Sequence, residues 1–387
     1  MTPAPPRNPT RRAALGVGVA AAVAAGCSQG STPRPVSEPT PAPRPAPVRA
    51  RRGLGLRASG LDPAALERAD AAASALPQLR SMIIARHGTP LLERRYRGPE
   101  LDTPVNIKSA SKTVLALVAG AAMAAGEVPG LDTPIVPLLG GRPSGADPRV
   151  DSITLGHLLS MRAGLQSTSG RNYGPWAVSR DPVRHALTRP MEDRPGGAMI
   201  YSTGTSHLTS AVLTEASGQS TLALARRYLG EPLGIAIPAW ERDPTGVYYG
   251  GNNMMMSPRD LLRIGEMCRA GGTLDGVQVV PQSWLEASWQ SRGRSRWTGH
   301  GYGYGWWLTR APLTRTPQPG AVVDVRYAWG YGGQMLFVVP SLGISVVMTS
   351  ASNPSDTVRG HVWQLHTLLR EHILPGALQR RESADLL

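Results

Sequence analysis

NIKSASKTV, Asn106 to Val114, holds both lysines of this 387-residue chain, and the other 39 of its 41 basic side chains are arginine. Arginine keeps its charge at any ordinary pH, whereas a buried lysine can lose its proton and act as a base or nucleophile, so a lysine kept against such a bias is a candidate for chemistry. The plain alternative is that two neighbouring lysines survived drift without a role. Ser109 and Lys112 form Ser-x-x-Lys. A helix starting at or just after Ser109 puts side chains three apart on one face, within reach of each other. It also places Ser109 at the positive end of the helix dipole, where free backbone N–H groups can receive a developing oxyanion. A serine hydroxyl needs a base, and a neutral lysine is one solution. For Lys112 to be neutral near pH 7, burial, the dipole or the Lys108 charge must lower its pKa by about three pH units, roughly 4 kcal/mol.

Around this window the chain alternates between strand and helix patterns. Ser81 to Tyr96 (SMIIARHGTPLLERRY) predicts two short strands about the breaker His87-Gly88-Thr89-Pro90. Apolar, alanine-rich helical patterns follow at Ser111 to Gly126 and Leu208 to Leu229, and another helix opens at Ser257-Pro258. Near the other end, Ala321 to Trp329, Gln334 to Val339 and Ile344 to Thr349 predict antiparallel strands, with Pro340-Ser341-Leu342-Gly343 as a turn, before a last helix from about Arg359 to His372. Strands at both ends around a helical middle predict an α+β fold: an antiparallel sheet built from both chain ends, flanked by helices, with a mainly helical inserted subdomain.

The first 52 residues read differently. Thr10-Arg11-Arg12 precedes an apolar run, Ala13 to Ala25, that is too short to span a bilayer but suits a secretory signal. The paired arginines resemble a twin-arginine export signal, and Ala24-Ala25-Gly26-Cys27 resembles a lipoprotein processing site, with Ala24 where leucine is more usual. An ordinary cleaved signal or an uncleaved anchor is the alternative. Residues 28–52 are a Pro/Arg-rich segment that cannot bury enough apolar surface to fold and reads as a tether. The expected organisation is an export signal with lipidation at Cys27 (1–27), the tether (28–52), a hydrolase domain (53–375) and a tail (376–387). Residues 1–52 carry eight arginines and one glutamate, half of the net +14, and the remaining charge is scattered without aromatic interleaving. No nucleic-acid face is therefore expected. If Cys27 is acylated, Cys268 is left alone and no intrachain disulfide can form.

Further motifs stand in order along the chain. Ile153 to Leu165 (ITLGHLLSMRAGL) follows the nucleophile segment, and Pro195-Gly196 precedes Tyr201-Ser202-Thr203. After these come Glu231-Pro232-Leu233-Gly234, Ser257-Pro258-Arg259-Asp260-Leu261, Gly301 to Trp307 (GYGYGWW) and Trp329 to Gln334 (WGYGGQ). With Ser-x-x-Lys, this set over about residues 80–375 resembles the serine β-lactamase and penicillin-binding-protein superfamily. It looks closest to the branch of class C β-lactamases, D,D-peptidases, family VIII carboxylesterases and 6-aminohexanoate-dimer hydrolases.

The resemblance implies Ser109 as nucleophile and Lys112 as its base, with Tyr201 sharing the proton traffic as a phenolate or a hydrogen-bonding relay. It implies an oxyanion hole from the backbone N–H groups of Ser109 and Tyr331, and substrate contacts at Thr203, Trp329 and Gly330. The glycine-interspersed aromatics Tyr302, Tyr304, Trp306 and Trp307 read as framing the cleft, with core packing of Trp306 or Trp307 as the alternative. No cofactor or metal is expected, because the chain contains neither His-Glu-x-x-His nor Cys-x-x-Cys. Two positions depart from the pattern. Ala328 stands where relatives that handle β-lactams or D-alanyl peptides often carry Lys or His, and Thr203 stands where Asn is usual. Both departures fall on substrate recognition. The expectation is an exported, lipid-anchored serine hydrolase of the bacterial cell envelope, on the outer face of the cytoplasmic membrane, acting on a small-molecule carboxylic ester or amide. The alternatives are a D,D-carboxypeptidase or β-lactamase, or a catalytically silent envelope lipoprotein that binds a ligand. Met254-Met255-Met256 reads as core packing at the start of the Ser257-Pro258 helix, with a flexible acyl pocket as the alternative, and His361, His366 and His372 belong to the surface or packing of the last helix.

Overall fold

The computed structural model describes residues 60–313, 321–352 and 358–378. The expected signal, lipidation site Cys27 and tether lie outside the described residues. The strands are β1 (Leu79–Arg86), β2 (Thr89–Arg95), β3 (Val105–Asn106), β4 (Met255–Met256), β5 (Thr273–Leu274), β6 (Val277–Gln278), β7 (Gly293–Arg294), β8 (Gly301–Tyr302), β9 (Trp307–Pro312), β10 (Val322–Gly330), β11 (Gln334–Val339) and β12 (Ile344–Ser350). Eight of them form one sheet in the order β2-β1-β12-β11-β10-β9-β8-β7. The early and late segments of the chain meet between its second and third strands, where β1 pairs antiparallel with β12, Met82 opposite Met348. This is the sheet expected from two distant segments of sequence.

Both faces of the sheet are covered, which explains why its central strands are continuously apolar rather than alternating. All six residues of β11 and all seven of β12 are buried. On one face Met82, Ile84, Phe337 and Val346 pack with Leu66 and Ala69 of helix α1 (Pro63–Ser74) and with Leu365 and Leu368 near the C-terminus. On the other, Ile83, Leu336, Val338 and Val347 join the larger core that contains helix α2 (Ser111–Ala124). Every residue of α2 from Ser111 to Ala122 is buried. A helix apolar on all sides belongs in the interior, and this one runs through the middle of the domain.

The helical insertion includes α3 (Leu155–Leu159), whose Thr154 and His157 form a capping box, and α4 (Thr203–Ser217), capped by Ser202. The helix expected over Leu208 to Leu229 differs from the one observed. It starts earlier, at Thr203, and stops at Gly218, whose φ of 66° closes α4 with a left-handed cap. Ser220 then caps a new short helix, Thr221–Ala225. Helix α5 (Pro258–Arg269) begins where Ser257-Pro258 predicts and packs on the sheet through Ile264 and Gly265. The last helix, α6 (Val358–Leu368), runs on through Leu369–Ile373 to Leu374–Leu378. There the Gly376 carbonyl accepts a bond from the Asp62 amide at 3.2 Å, so the packed chain extends beyond the expected limit at 375.

Candidate active site

Ser109 enters the site from a short strand and a tight turn. β3 pairs with β4, and the Ile107 amide donates to the Met254 carbonyl at 3.0 Å. Lys108 has a left-handed backbone, φ 52°, held by its amide bond to Asn106 Oδ1 at 2.8 Å. Lys108 to Ala110 then form a 3-10 turn that leads into α2 at Ser111. Ser109 thus precedes the α-helix. The consequence favours the motif, since a turn of three residues stacks position i over i+3 more directly than an α-helix does. Lys112 Nζ lies 3.0 Å from Ser109 Oγ.

Lys112 is 4% exposed, and its nitrogen also donates to the Gly251 carbonyl. Burial lowers its pKa from 10.5 to about 7. No carboxylate contributes to that shift, and desolvation penalises the charged ammonium. A neutral amine in this position keeps a hydrogen on Gly251 and has a lone pair to accept the Ser109 proton.

Tyr201 completes the group. Its hydroxyl lies beside that of Ser109, and Lys112 Nζ is 5.0 Å from its ring centroid. The ring stacks on Trp307 at 5.6 Å and meets Tyr302 edge-on at 6.3 Å. Burial pushes its pKa up to about 12, although the Ser109 hydroxyl acts in the opposite direction. Tyr201 is therefore a phenol in the neutral range, which favours the hydrogen-bonding relay over the phenolate. Its backbone is fastened by three consecutive small polar residues. Ser167 Oγ donates to the Tyr201 carbonyl at 2.6 Å, the Thr168 amide donates to Ser202 Oγ at 3.1 Å, and the Thr203 amide donates to Ser169 Oγ at 2.9 Å.

The remaining expected site residues separate into two groups. Gly330 ends β10 in direct contact with the nucleophile segment: a Cβ there would lie 2.1 Å from the Ile107 carbonyl oxygen, so only glycine fits. This close approach brings the following turn, with Tyr331, alongside the chain leading to Ser109. The Tyr331 side chain is 48% exposed, consistent with a position that needs only backbone. Trp329 is partly exposed and packs against Trp307 at 5.5 Å. Trp306, expected at the cleft, is instead 0% exposed and packs edge-on against Trp289 within the core. Its neighbour Trp307 makes the contact with Tyr201. Thr203 is 5% exposed, and its hydroxyl pairs with Ser169 at 3.0 Å rather than pointing into open space. Ala328 is 1% exposed and shares a core cluster with Ile107 and Ala110, so no cation stands at that position.

A cavity of about 290 Å³ borders Tyr201, lined also by Ser167, Glu192, Met199, Arg296 and Trp297. A larger one, about 390 Å³, lies among Arg294, His300, Arg310 and Arg326 and contains none of the three central residues. Among the described residues, no group of His, Cys, Asp and Glu side chains could hold a metal ion. His366 is a packing residue, its ring against Tyr327 and Phe337. Sequence reasoning missed the Gly251 carbonyl, the Ser167-Thr168-Ser169 fastening and the stack of Trp307 on Tyr201. The pair Gly250-Gly251 was a usable signal of close backbone approach.

The chain is similar to several known proteins. A sequence profile described as Beta-lactamase matches residues 66–370. The 6-aminohexanoate-dimer hydrolase of Paenarthrobacter ureafaciens is 24% identical over 337 residues, covering 78% of this chain and 82% of that protein. Among solved structures, a putative beta-lactamase from Bacteroides dorei DSM 17855 superposes with a TM-score of 0.63 at 16% identity, covering 79% of this chain and 98% of the other. A D-stereospecific amidohydrolase from Streptomyces sp. gives 0.59 at 19% identity, covering 78% and 98%.

Proposed function

Because the chain belongs to the Beta-lactamase family and is a serine hydrolase, we propose that it cleaves a small carboxylic ester or amide through an acyl-enzyme on Ser109. The observation that carries this reading is the contact of Ser109 Oγ with a buried Lys112 nitrogen at 3.0 Å, with the Tyr201 phenol beside it. Lys112, neutral, takes the Ser109 proton as Oγ attacks the acyl carbon. The oxyanion is received by the backbone N–H groups of Ser109 and Tyr331. Tyr201 donates its proton to the departing alcohol or amine and recovers one from the Lys112 ammonium. The same groups, working in reverse, activate the water that releases the acid.

The buried Ala328 and the engaged hydroxyl of Thr203 support a substrate without a carboxylate at the position where β-lactams and D-alanyl peptides carry one. One similar protein is named a 6-aminohexanoate-dimer hydrolase and another a D-stereospecific amidohydrolase, which is compatible with an amide. Cleavage of p-nitrophenyl esters and p-nitroanilides, and labelling by a fluorophosphonate, test the proposal. Both should disappear in Ser109→Ala, and undiminished turnover in that variant would refute it. Hydrolysis of nitrocefin as fast as that of the esters would favour the β-lactamase alternative.

We further propose, from residues 10–27 alone, that the chain is exported and anchored to the outer face of the cytoplasmic membrane through a lipid on Cys27. Growth with a labelled fatty acid should mark the full chain and leave Cys27→Ala unmarked.

A further inference from the structure

The second hydrogen-bond partner of Lys112 is a backbone carbonyl, that of Gly251, so whatever holds this segment in place holds the lysine's partner. The segment lies flush on α4. A Cβ on Gly250 would come within 2.5 Å of the Ser206 carbonyl oxygen and 2.6 Å of Ser210 Cβ, and one on Gly251 within 2.8 Å of the Thr203 carbonyl oxygen. Glycine on one side and small residues on the other permit this approach. Ser210 Oγ adds a bond to the Tyr248 carbonyl at 2.7 Å.

A buried pair secures the start of the same segment. Asp243 Oδ1 accepts from the Thr245 amide, the Thr245 hydroxyl and the Val247 amide at 2.8–2.9 Å, closing a tight turn. Asp243 Oδ2 meets His207 Nε2 at 2.9 Å, and both side chains are 0% exposed. His207 stands one helical turn beyond Thr203 on α4. Its ring packs against Trp176 and Tyr249, with centroids 5.6 and 5.1 Å away. Burial alone would raise the Asp243 pKa, but the bonds from His207, Thr245 and Val247 bring it below the ordinary carboxylate value. Tyr249 faces the pair, with Tyr173 and Glu241 beyond it, and Tyr201 faces Lys112. The acyl-transfer steps use neither His207 nor Asp243.

We propose that His207 and Asp243 are positioning residues: their contact holds residues 243–251 against α4, keeps the Gly251 carbonyl on the Lys112 nitrogen, and thereby aims that nitrogen at Ser109. The inference rests on the reading of Lys112 as base. A carbonyl acceptor favours the ammonium form, so a displaced Gly251 lowers the lysine's pKa while leaving its nitrogen poorly aimed.

The test uses the full chain carrying Lys108→Arg, in which Lys112 is the only lysine, labelled with carbon-13 at lysine Cε. Asp243→Asn keeps the size of the side chain and removes its charge. The Lys112 titration midpoint should fall by about half a pH unit or more. Turnover of a p-nitrophenyl ester should lose about tenfold or more in kcat, with KM changed less than about twofold. If Asp243→Asn does not fold, Thr245→Val removes one bond at the exposed turn and should shift the midpoint in the same direction. A folded variant with an unmoved midpoint and unchanged kcat overturns the inference, even if its Tm falls, because the pair then serves stability alone. A midpoint near 10.5 in the Lys108→Arg parent would instead overturn the reading of Lys112 as base.

Discussion

Replacing Lys112 with methionine should abolish hydrolysis and make the protein more stable. Lys112 is 4% exposed, and burial moves its pKa from 10.5 to about 7. At 1.36 kcal/mol per pH unit, the site disfavours the ammonium by about 5 kcal/mol. The folded pKa lies below the unfolded one, so between about pH 7 and 10.5 the unfolded chain holds the extra proton. The wild-type protein therefore gains stability as pH rises through that window, and below it carries the full penalty. Methionine has no charge to bury, but it leaves the Gly251 carbonyl without its donor, at a cost of about 1–3 kcal/mol. The net expectation for Lys112→Met is a gain of about 2–4 kcal/mol at pH 6 that shrinks as pH rises and turns into a loss near pH 10. Lys112→Arg, which cannot discharge, should be inactive and should lack the rise in stability between pH 7 and 10. Urea unfolding followed by tryptophan fluorescence at pH 6, 8 and 10 measures these differences. A methionine variant less stable than wild type at pH 6, or a difference that does not change with pH, would mean that Lys112 is not buried at the cost of its charge.

Tyr201→Phe keeps the stack on Trp307 but removes the hydroxyl that meets Ser109, so kcat on an ester should fall about a hundredfold with little change in KM. Steady-state kinetics check this, and a loss below about threefold would deny the relay role. Gly330→Ala places a Cβ 2.1 Å from the Ile107 carbonyl oxygen, two residues before the nucleophile. It should slow fluorophosphonate labelling of Ser109 about a hundredfold and lower stability by about 1–3 kcal/mol, read from labelling rates and urea midpoints.

The elements legible in sequence were those whose signals are local. The breaker at His87-Gly88 marks the β1–β2 hairpin, Ser257-Pro258 marks the start of α5, and the apolar run after Ser111 marks the buried helix α2. Ser-x-x-Lys was legible because two side chains three apart in a turn meet whatever lies around them. Features set by distant partners were not. The 3-10 turn under Ser109 depends on Asn106, Ser111 and the Met254 backbone, which lies more than a hundred residues away. Trp306 and Trp307 were indistinguishable by type. Which of them meets Tyr201 depends on strand register: Trp307 pairs with Tyr327 and faces the Tyr201 side, while Trp306 turns into the core. The Gly251 acceptor is backbone, so its identity left no side-chain signal. Gly218 is compatible with a continuous helix in composition, and only its left-handed cap shows that the helix ends there.

Acyl transfer on Ser109 requires Lys112 to act as a base, and a chain with two lysines lets that be observed without competing signals. In the Lys108→Arg protein labelled with carbon-13 at lysine Cε, Lys112 gives the single lysine resonance. Its shift should titrate with a midpoint near 7, in step with the rise of ester hydrolysis with pH. A midpoint near the ordinary 10.5, with hydrolysis already complete at neutral pH, would contradict that role.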